Sequence, residues 1–468
     1  MGELIPVCIF DCVPGDSFTL GSEALIRFAP LVSPVMHRFN VTIHYFFVPN
    51  RILWDGWEEW ITDPSSTRVF PTYVCNGDVG TLEDYLGIPQ SAGGGVEVSA
   101  FPLAAYQAIY NEYYRDQNLV TEVDYKLVDG LNSAVNPALE ELRLRAWQHD
   151  YFTAALPFAQ KGASVDIPLG DVVLDQTATQ AGRWVEAGNW PTVPPGGNVT
   201  TTPISGEAQN TGIPIQYDPD GTLQVEATTI TDLRRAFKLQ EWLELQARGG
   251  TRYTEQIRAQ FNVISSDARL QRPEYITGIK QPVMISEVLN TTGTTELPQG
   301  NMAGHGVAAI SGKYGRYFCE EHGYILGIMS IMPDTAYQQG VPKHFLKTAD
   351  QFEYYWPSFA HIGEQAVQNQ EVYVDHANPD ETFGYVPRYA EYKFVQNRVA
   401  GDFKTTLNTW HAGRIFASDP ALNQTFVECN PTFRIFAVTD EDVDHMYCHV
   451  LNRVHAVRPM PKFGNPYM

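Results

Sequence analysis

Between Arg38 and Val48 the side chains alternate. Phe39, Val41, Ile43, Tyr45 and Phe47 are apolar, and Arg38, Asn40, Thr42 and His44 between them are polar. A helix would scatter these two sets around its circumference, whereas a strand, with its period of two, sends them to opposite faces. At about 3.3 Å per residue the strand runs over roughly 30 Å, long enough to cross a whole sandwich or barrel, and Pro49-Asn50 closes it. The rest of the chain must supply an apolar layer against one side of it.

A second alternation lies near the C-terminus. Met446, Cys448, Val450, Val454 and Ala456 face one way, His445, His449, Arg453 and His455 the other, and Asn452 interrupts the apolar face. Shorter strand candidates are Val7 to Phe10, Leu25 to Phe28, Tyr324 to Met332, Glu371 to Val374 and Phe433 to Val438. Tyr324 to Met332 is apolar on both faces, as a central core strand is. Strands near both ends of the chain suit a Greek-key or jelly-roll barrel closed by its termini.

Helices read as insertions between these strands. Leu233, Phe237, Gln240, Leu243 and Ala247 recur at three- and four-residue spacing from Thr231 to Arg248, with Thr231 as cap and Gly249-Gly250 as stop. One face of this helix is expected to pack on the barrel. A second helix is predicted from Pro102 to Arg115, with Tyr106, Ile109, Tyr110 and Tyr113 on one face. Gln176 to Thr228, rich in Gly, Pro, Thr and Asn, is too long for an ordinary connection, and loops of that size usually carry function.

With 468 residues the chain exceeds the roughly 250–300 that one core supports, so it has two domains or one heavily decorated domain. No stretch approaches the roughly 18 consecutive apolar residues of a membrane span, and the opening residues lack the pattern of a signal peptide. Cys8, Cys12, Cys75, Cys319, Cys429 and Cys448 form no C-x-x-C pair, so buried free thiols are expected and a zinc ribbon is not.

Motifs for catalysis or metal binding fail in their details. Gly306 to Tyr314 imitates a phosphate loop but has five residues between its glycines, and Tyr314 stands where a magnesium ligand should be; a turn is the plainer reading. Asp440, Asp442 and Asp444 open like a calcium loop, yet His445 replaces the required Gly and Leu451 the closing acid, which leaves a solvated hairpin turn. His445 and His449 lie about 13 Å apart on a strand, too far to share a metal. No catalytic, cofactor or metal residue is assigned. A β-sandwich carbohydrate-active enzyme or lectin remains the alternative class, since paired carboxylates among 54 acids meet only in three dimensions.

The net charge of −22 makes the surface as a whole repel nucleic acid and anionic membranes, so any DNA contact is local. Two stretches run against that background. From Thr231 to Arg272 eight bases face five acids, and from Val450 to Met468 there are three bases and no acid. Charge balancing of neighbours is the plainer reading; the functional one is a wall facing phosphates, with Arg453, Arg458 and Lys462 first and Arg234, Arg235 and Lys238 next. Phe463 and Tyr467 would be available there for base stacking.

Several segments then carry a family resemblance. Gly15-Asp16-Ser17-Phe18 follows Val13-Pro14, Tyr45-Phe46-Phe47-Val48-Pro49-Asn50-Arg51 precedes Trp54, and Tyr110-Asn111-Glu112 leads to Arg115-Asp116-Gln117-Asn118. His149-Asp150-Tyr151-Phe152-Thr153-Ala154-Ala155-Leu156-Pro157, Ala247-Arg248-Gly249-Gly250-Thr251-Arg252-Tyr253, Asp267-Ala268-Arg269-Leu270-Gln271-Arg272-Pro273-Glu274-Tyr275 and Val457-Arg458-Pro459-Met460-Pro461 continue the series. In this order, over almost the whole chain, they resemble the major capsid protein of the microviruses (Microviridae), especially the gokushovirus-like branch.

The resemblance implies a mainly β fold, an eight-stranded antiparallel jelly-roll barrel with long loop and helical insertions. Residues 1–468 would form one capsid domain, with 176–228 as a surface excursion and 231–272 as a helical insertion. About sixty copies would close into an icosahedral shell around circular single-stranded DNA. Sixty copies at −22 place roughly −1,300 charges around a polyanion, so a small basic DNA-binding companion protein is expected to supply counter-charge. The protein would reside in the virion capsid after assembly in the host bacterial cytoplasm and meet a host surface receptor, without membrane insertion. Relatives often carry a basic arm ahead of the Gly-Glu-Leu-Ile-Pro segment, at which this sequence starts.

Ala154 to Thr229 holds eight acids against two bases, which suits an outward position better than one against phosphates. Trp184, Trp190, Ile213 and Tyr217, with Ile204 and Ile215, are too many apolar side chains to leave in water, so a protrusion clustered with neighbouring copies is expected. Related capsids carry an insertion projecting at the threefold axes. Replacing Thr177 to Ala227 with a short Gly-Ser linker is expected to leave subunits that fold and assemble into smoother particles with impaired host attachment; electron microscopy and adsorption assays check this, and loss of folding would contradict it.

Overall fold

Each face of the alternating stretch finds a different environment, and two sheets form around it. The computed structural model describes residues 1–166, 172–174, 183–186, 215–218, 223–225, 229–289, 291, 302–312, 314–438, 440 and 443–461. The chain divides into two units, Met1–Lys161 with Glu244–Met468, and Gly162–Leu243.

In the first unit the two largest sheets use β1 (Ile5–Cys12), β2 (Ser17–Phe28), β3 (Phe39–Pro49), β4 (Glu274–Pro282), β5 (Met284–Leu289), β6 (Met302–Ile310), β7 (Gly315–Phe318), β8 (Gly323–Pro333) and β9 (Met446–Val457). One sheet has four strands in the order β1-β8-β3-β4; the other has five, β5-β6-β2-β7 with β9 also on β2. All these pairings are antiparallel. Along one edge of β2, β6 takes Ala24 to Arg27 and β7 takes Ser17 to Leu20, while β9 pairs with β2 from Ser17 to Phe28. The fold is mainly β and antiparallel, and neither sheet closes on itself.

Phe39, Val41, Ile43, Tyr45 and Phe47 of β3 pack with Phe18, Leu20, Ile26 and Phe28 of β2 and with Ile325 and Met329 of β8 in one core between the sheets. A second core covers part of the opposite face of the four-stranded sheet. There Phe46, Val48, Leu326 and Ile328 meet Leu53, Trp54 and the helix α1 (Phe101–Ile109), which continues into a π-helical turn at Tyr110–Tyr114. The buried Gln107 of α1 is satisfied by the carbonyls of Leu139 and Glu141, at 3.0 and 2.9 Å. A third core, with Tyr151, Phe152, Val367, Phe383 and Phe426, holds the excursion between β8 and β9.

Asn452, the polar interruption of the C-terminal alternation, has a clear role. Its Nδ2 donates to the carbonyl of Val7 at 2.8 Å and its Oδ1 accepts from the Tyr45 hydroxyl at 3.0 Å. The terminal strands β1 and β9 thus meet through a side chain that links the two sheets, not through a shared ladder.

Several local expectations are corrected. Glu371 to Val374 lies at a one-turn helix, Asn369–Val372, because the buried Glu371 carboxylate accepts from the Gln368 N–H at 2.9 Å and from the Tyr151 hydroxyl at 3.0 Å. Phe433 to Val438 folds into turns around Arg434, whose guanidinium donates to the carbonyls of Asn408, His411 and Gly413, and among the described residues it makes no ladder with β9. Gly306 to Ile310 belongs to β6 instead of a turn. The helix α2 (Ile230–Gly249) is capped by Thr229, whose hydroxyl accepts from the Asp232 N–H at 3.2 Å, and not by Thr231. All six cysteines are free thiols, and among the described residues no helix is long and apolar enough to cross a membrane.

Asn452→Ala would leave the Val7 carbonyl and the Tyr45 hydroxyl without their partner. Chemical denaturation of the unassembled chain is expected to show a loss of about 1–3 kcal/mol. Leu25→Ala, on β2 and 42% exposed, should change stability by less than about 0.5 kcal/mol; equal losses in the two variants would contradict the Asn452 link between the sheets.

Candidate functional site

On its second face β3 is polar where the second core ends. Asn40, Thr42 and His44 point there, and the chain around them leaves a cleft of about 980 Å³. Burying such groups is costly without hydrogen bonds, and each has a partner. Asn40 Nδ2 donates to Asp334 Oδ1 at 2.8 Å, and Arg145 Nη1 donates to the hydroxyls of Thr42 and Ser330 at 2.8 and 3.0 Å. His44 Nδ1 lies 2.8 Å from the Tyr114 hydroxyl, which the π-helical turn places above the sheet.

The far wall comes from the junction of α2 with α3 (Tyr253–Phe261). Gly249 permits this junction, since a Cβ there would stand 2.7 Å from the Ala259 Cβ, and Gly250 turns the chain with a φ of +94°. Arg252 then pins α3 to the π-helical turn: it donates to the carbonyls of Asn111 and Arg115 and to Glu255 Oε1 at 3.3 Å. Arg272 lies 4.8 Å from the centre of the Tyr113 ring and 3.3 Å from Glu112, behind the same wall.

The lining is cationic. Arg115, Arg145, Arg248, Arg252, Arg258 and Lys280 face three acids, Asp116, Glu255 and Asp334, a net of +3 inside a chain of −22. Burial lowers the proton affinity of Arg145 and Arg252. Arg115 Nε and Gln117 Oε1 are buried in the wall with no hydrogen-bond partner among the described residues. Partly desolvated guanidiniums and an unmet N–H donor make a surface suited to an anion.

The residues singled out from sequence are not brought together here. Arg453 forms a two-pronged pair with Glu23, at 3.0 Å from each carboxylate oxygen. Arg458 donates to the fully buried Asp16 carboxylate at 2.7–3.1 Å and to the Asp11 carbonyl at 2.7 Å, fastening the end of β9 to the β1–β2 turn. Arg234, Arg235 and Lys238 lie on α2, where Lys238 Nζ is 2.6 Å from Glu241. Lys462, Phe463 and Tyr467 lie outside the described residues, as do Trp190 and Ile213, while Trp184 pairs opposite Tyr217 in a two-stranded ladder. Sequence reading counted Arg248, Arg252 and Arg258 in the basic stretch but missed Arg115, Arg145 and Lys280. The polar face of β3 was the signal that pointed to them.

His44 gives the cleft a measurable pH dependence. Burial, and then the charge of Arg145, push its pKa down to about 4, from about 6.5 in an unfolded chain. Between those values the unfolded chain binds a proton that the folded one refuses, so stability falls as pH drops from about 6.5 to about 4, by up to ~3 kcal/mol. His44→Gln is expected to lose less stability between pH 7 and pH 4.5 in denaturant titrations, and an unchanged loss would contradict the assignment.

Comparison with known proteins fits this architecture of sheets and long excursions. The capsid protein (F protein) family matches residues 1–468. The chain is 36% identical to the capsid protein VP1 of Bdellovibrio phage phiMH2K, over 99% of this chain and 92% of that protein. Identity is 32% to the capsid protein VP1 of Chlamydia phage 1, over 100% of this chain and 93% of the relative, and 29% to that of Spiroplasma virus 4, over 100% and 92%. Nothing in these matches supports a carbohydrate-active enzyme or lectin. The match along the full length leads to one conclusion: the chain belongs to the phage capsid protein family and is a structural, non-enzymatic major capsid protein of a small bacteriophage.

Proposed function

We propose that copies of this chain, each a jelly-roll subunit, close into an icosahedral shell of about sixty around a circular single-stranded DNA genome, assembled in the host bacterial cytoplasm. Two facing antiparallel sheets with a shared core support the jelly-roll reading. The observation that carries the DNA contact is the cleft of net +3 in a chain of −22. A phosphate seated there meets guanidiniums already partly stripped of water. Arg234, Arg235 and Lys462 add to the phosphate-facing charge, and Arg453, Lys238 and Arg458, paired with Glu23, Glu241 and Asp16, add least. A small basic companion protein supplies the remaining counter-charge, and the excursion at 176–228, with Trp184, Trp190, Ile213 and Tyr217, meets the host receptor.

Arg258 and Lys280 are exposed at the cleft and can be changed without touching the half-buried Arg145 and Arg252. Arg258→Glu with Lys280→Glu turns the lining from +3 to −1. Particles of this double variant are expected to form but to hold several-fold less DNA, read from their ultraviolet absorbance ratio, and to lose it at lower salt. Unchanged DNA content would contradict the role of the cleft.

A further inference from the structure

Residues 343–395 present an aromatic face larger than a lone chain keeps in water. Phe352, Tyr354, Tyr355, Trp356, Tyr392 and Phe394 are each 41–55% exposed, and Val395 is 95% exposed. At ~150–250 Å² per aromatic side chain, these residues leave on the order of 700 Å² uncovered. The largest apolar patch on a typical monomer is about 300–600 Å².

These rings are held in place from beneath. Asp350 accepts from the Phe352 N–H at 3.0 Å, and Trp356 Nε1 donates to the Gln351 carbonyl at 3.1 Å. Tyr389, buried and in the left-handed region at φ 59°, packs its ring 5.1 Å from that of Tyr355 and 6.1 Å from that of Tyr392. Under them the buried Lys347 reaches Glu391 at 2.5 Å and the Tyr392 ring centre at 4.0 Å. A face fixed in this way loses little side-chain entropy when covered.

Charge and area identify the cover. Residues 343–362 and 388–395 together carry four bases, Lys343, Lys347, Arg388 and Lys393, and three acids, Asp350, Glu353 and Glu391. Two copies at −22 each repel one another except where local charge vanishes, as it nearly does here. Facing its own copy, the patch would bury about 1,400 Å² from the two chains, within the roughly 1,200–2,000 Å² of a stable interface.

We infer that this face packs against the same face of a second copy across a two-fold axis, an inference that rests on the capsid reading. Such a contact is self-complementary, each residue meeting the patch from which it came.

The test uses the assembled full-length chain. Val395→Cys treated with a short bismaleimide should give covalent dimers on a denaturing gel, while the parent chain, with Cys448 as its exposed thiol, should not. Val395→Asp should keep the parent's thermal midpoint and associate at least 10-fold more weakly in sedimentation. If the parent assembles but Val395→Cys stays uncrosslinked, the two-fold contact is overturned while the shell reading stands, even where Val395→Asp weakens assembly through another surface. A parent chain that remains monomeric would overturn both.

Discussion

Along β3 one face is apolar for its full length, while the opposite face changes from polar to apolar at Phe46, and this change fixes what the flanking chain must do. Beyond Phe46 the sheet needs a second apolar layer, and α1 with Leu53 and Trp54 supplies it. Before it, Asn40, Thr42 and His44 demand hydrogen-bond partners, and an apolar cover would leave them unsatisfied at about 1–3 kcal/mol each. Arg145, Asp334 and Tyr114 meet that demand, and a roofed polar space results.

The electrostatics of that space follow from the same constraint. Arg145 is held by hydroxyls and by the face of Tyr114, 5.4 Å from the ring centre, so its charge remains effective on its neighbours. His44 responds by staying neutral, which spares the sheet a second buried cation. Arg252 and Arg272 are spent differently, on Glu112, Glu255 and Asp267, and tie α3 to the π-helical turn. A chain acidic overall can therefore concentrate positive charge in one concavity, with part of its arginine set serving as structure.

Strands that carry a strict period were legible in the sequence. β3, β8 and β9 fall where alternation or two-sided apolarity placed them; α2 also lies where its spacing put it, although only Ala247 on it is buried and Phe237 is 62% exposed, so its apolar spacing did not report burial. Glu371 and Phe433 misled because distant side chains, Lys343 and Tyr151 for the one and the Arg434-bound carbonyls for the other, overrode local propensity. The cleft was hidden for a related reason. Arg115, Arg145 and Lys280 are far apart in the chain, and only the sheet register and the Gly249 junction bring them to one wall. Family membership was readable from short segments spread along the chain, which mark turns and junctions such as Gly249-Gly250 and the Asp16 anchor as much as any surface.

That this chain builds a closed shell is tested most directly by the mass of the particle that carries it. Sixty copies of a 52.4-kDa chain make a protein shell of about 3 MDa. Native mass spectrometry or sedimentation of particles purified under assembling conditions should find that mass as a single closed species. A species of one or a few chains under the same conditions would contradict it.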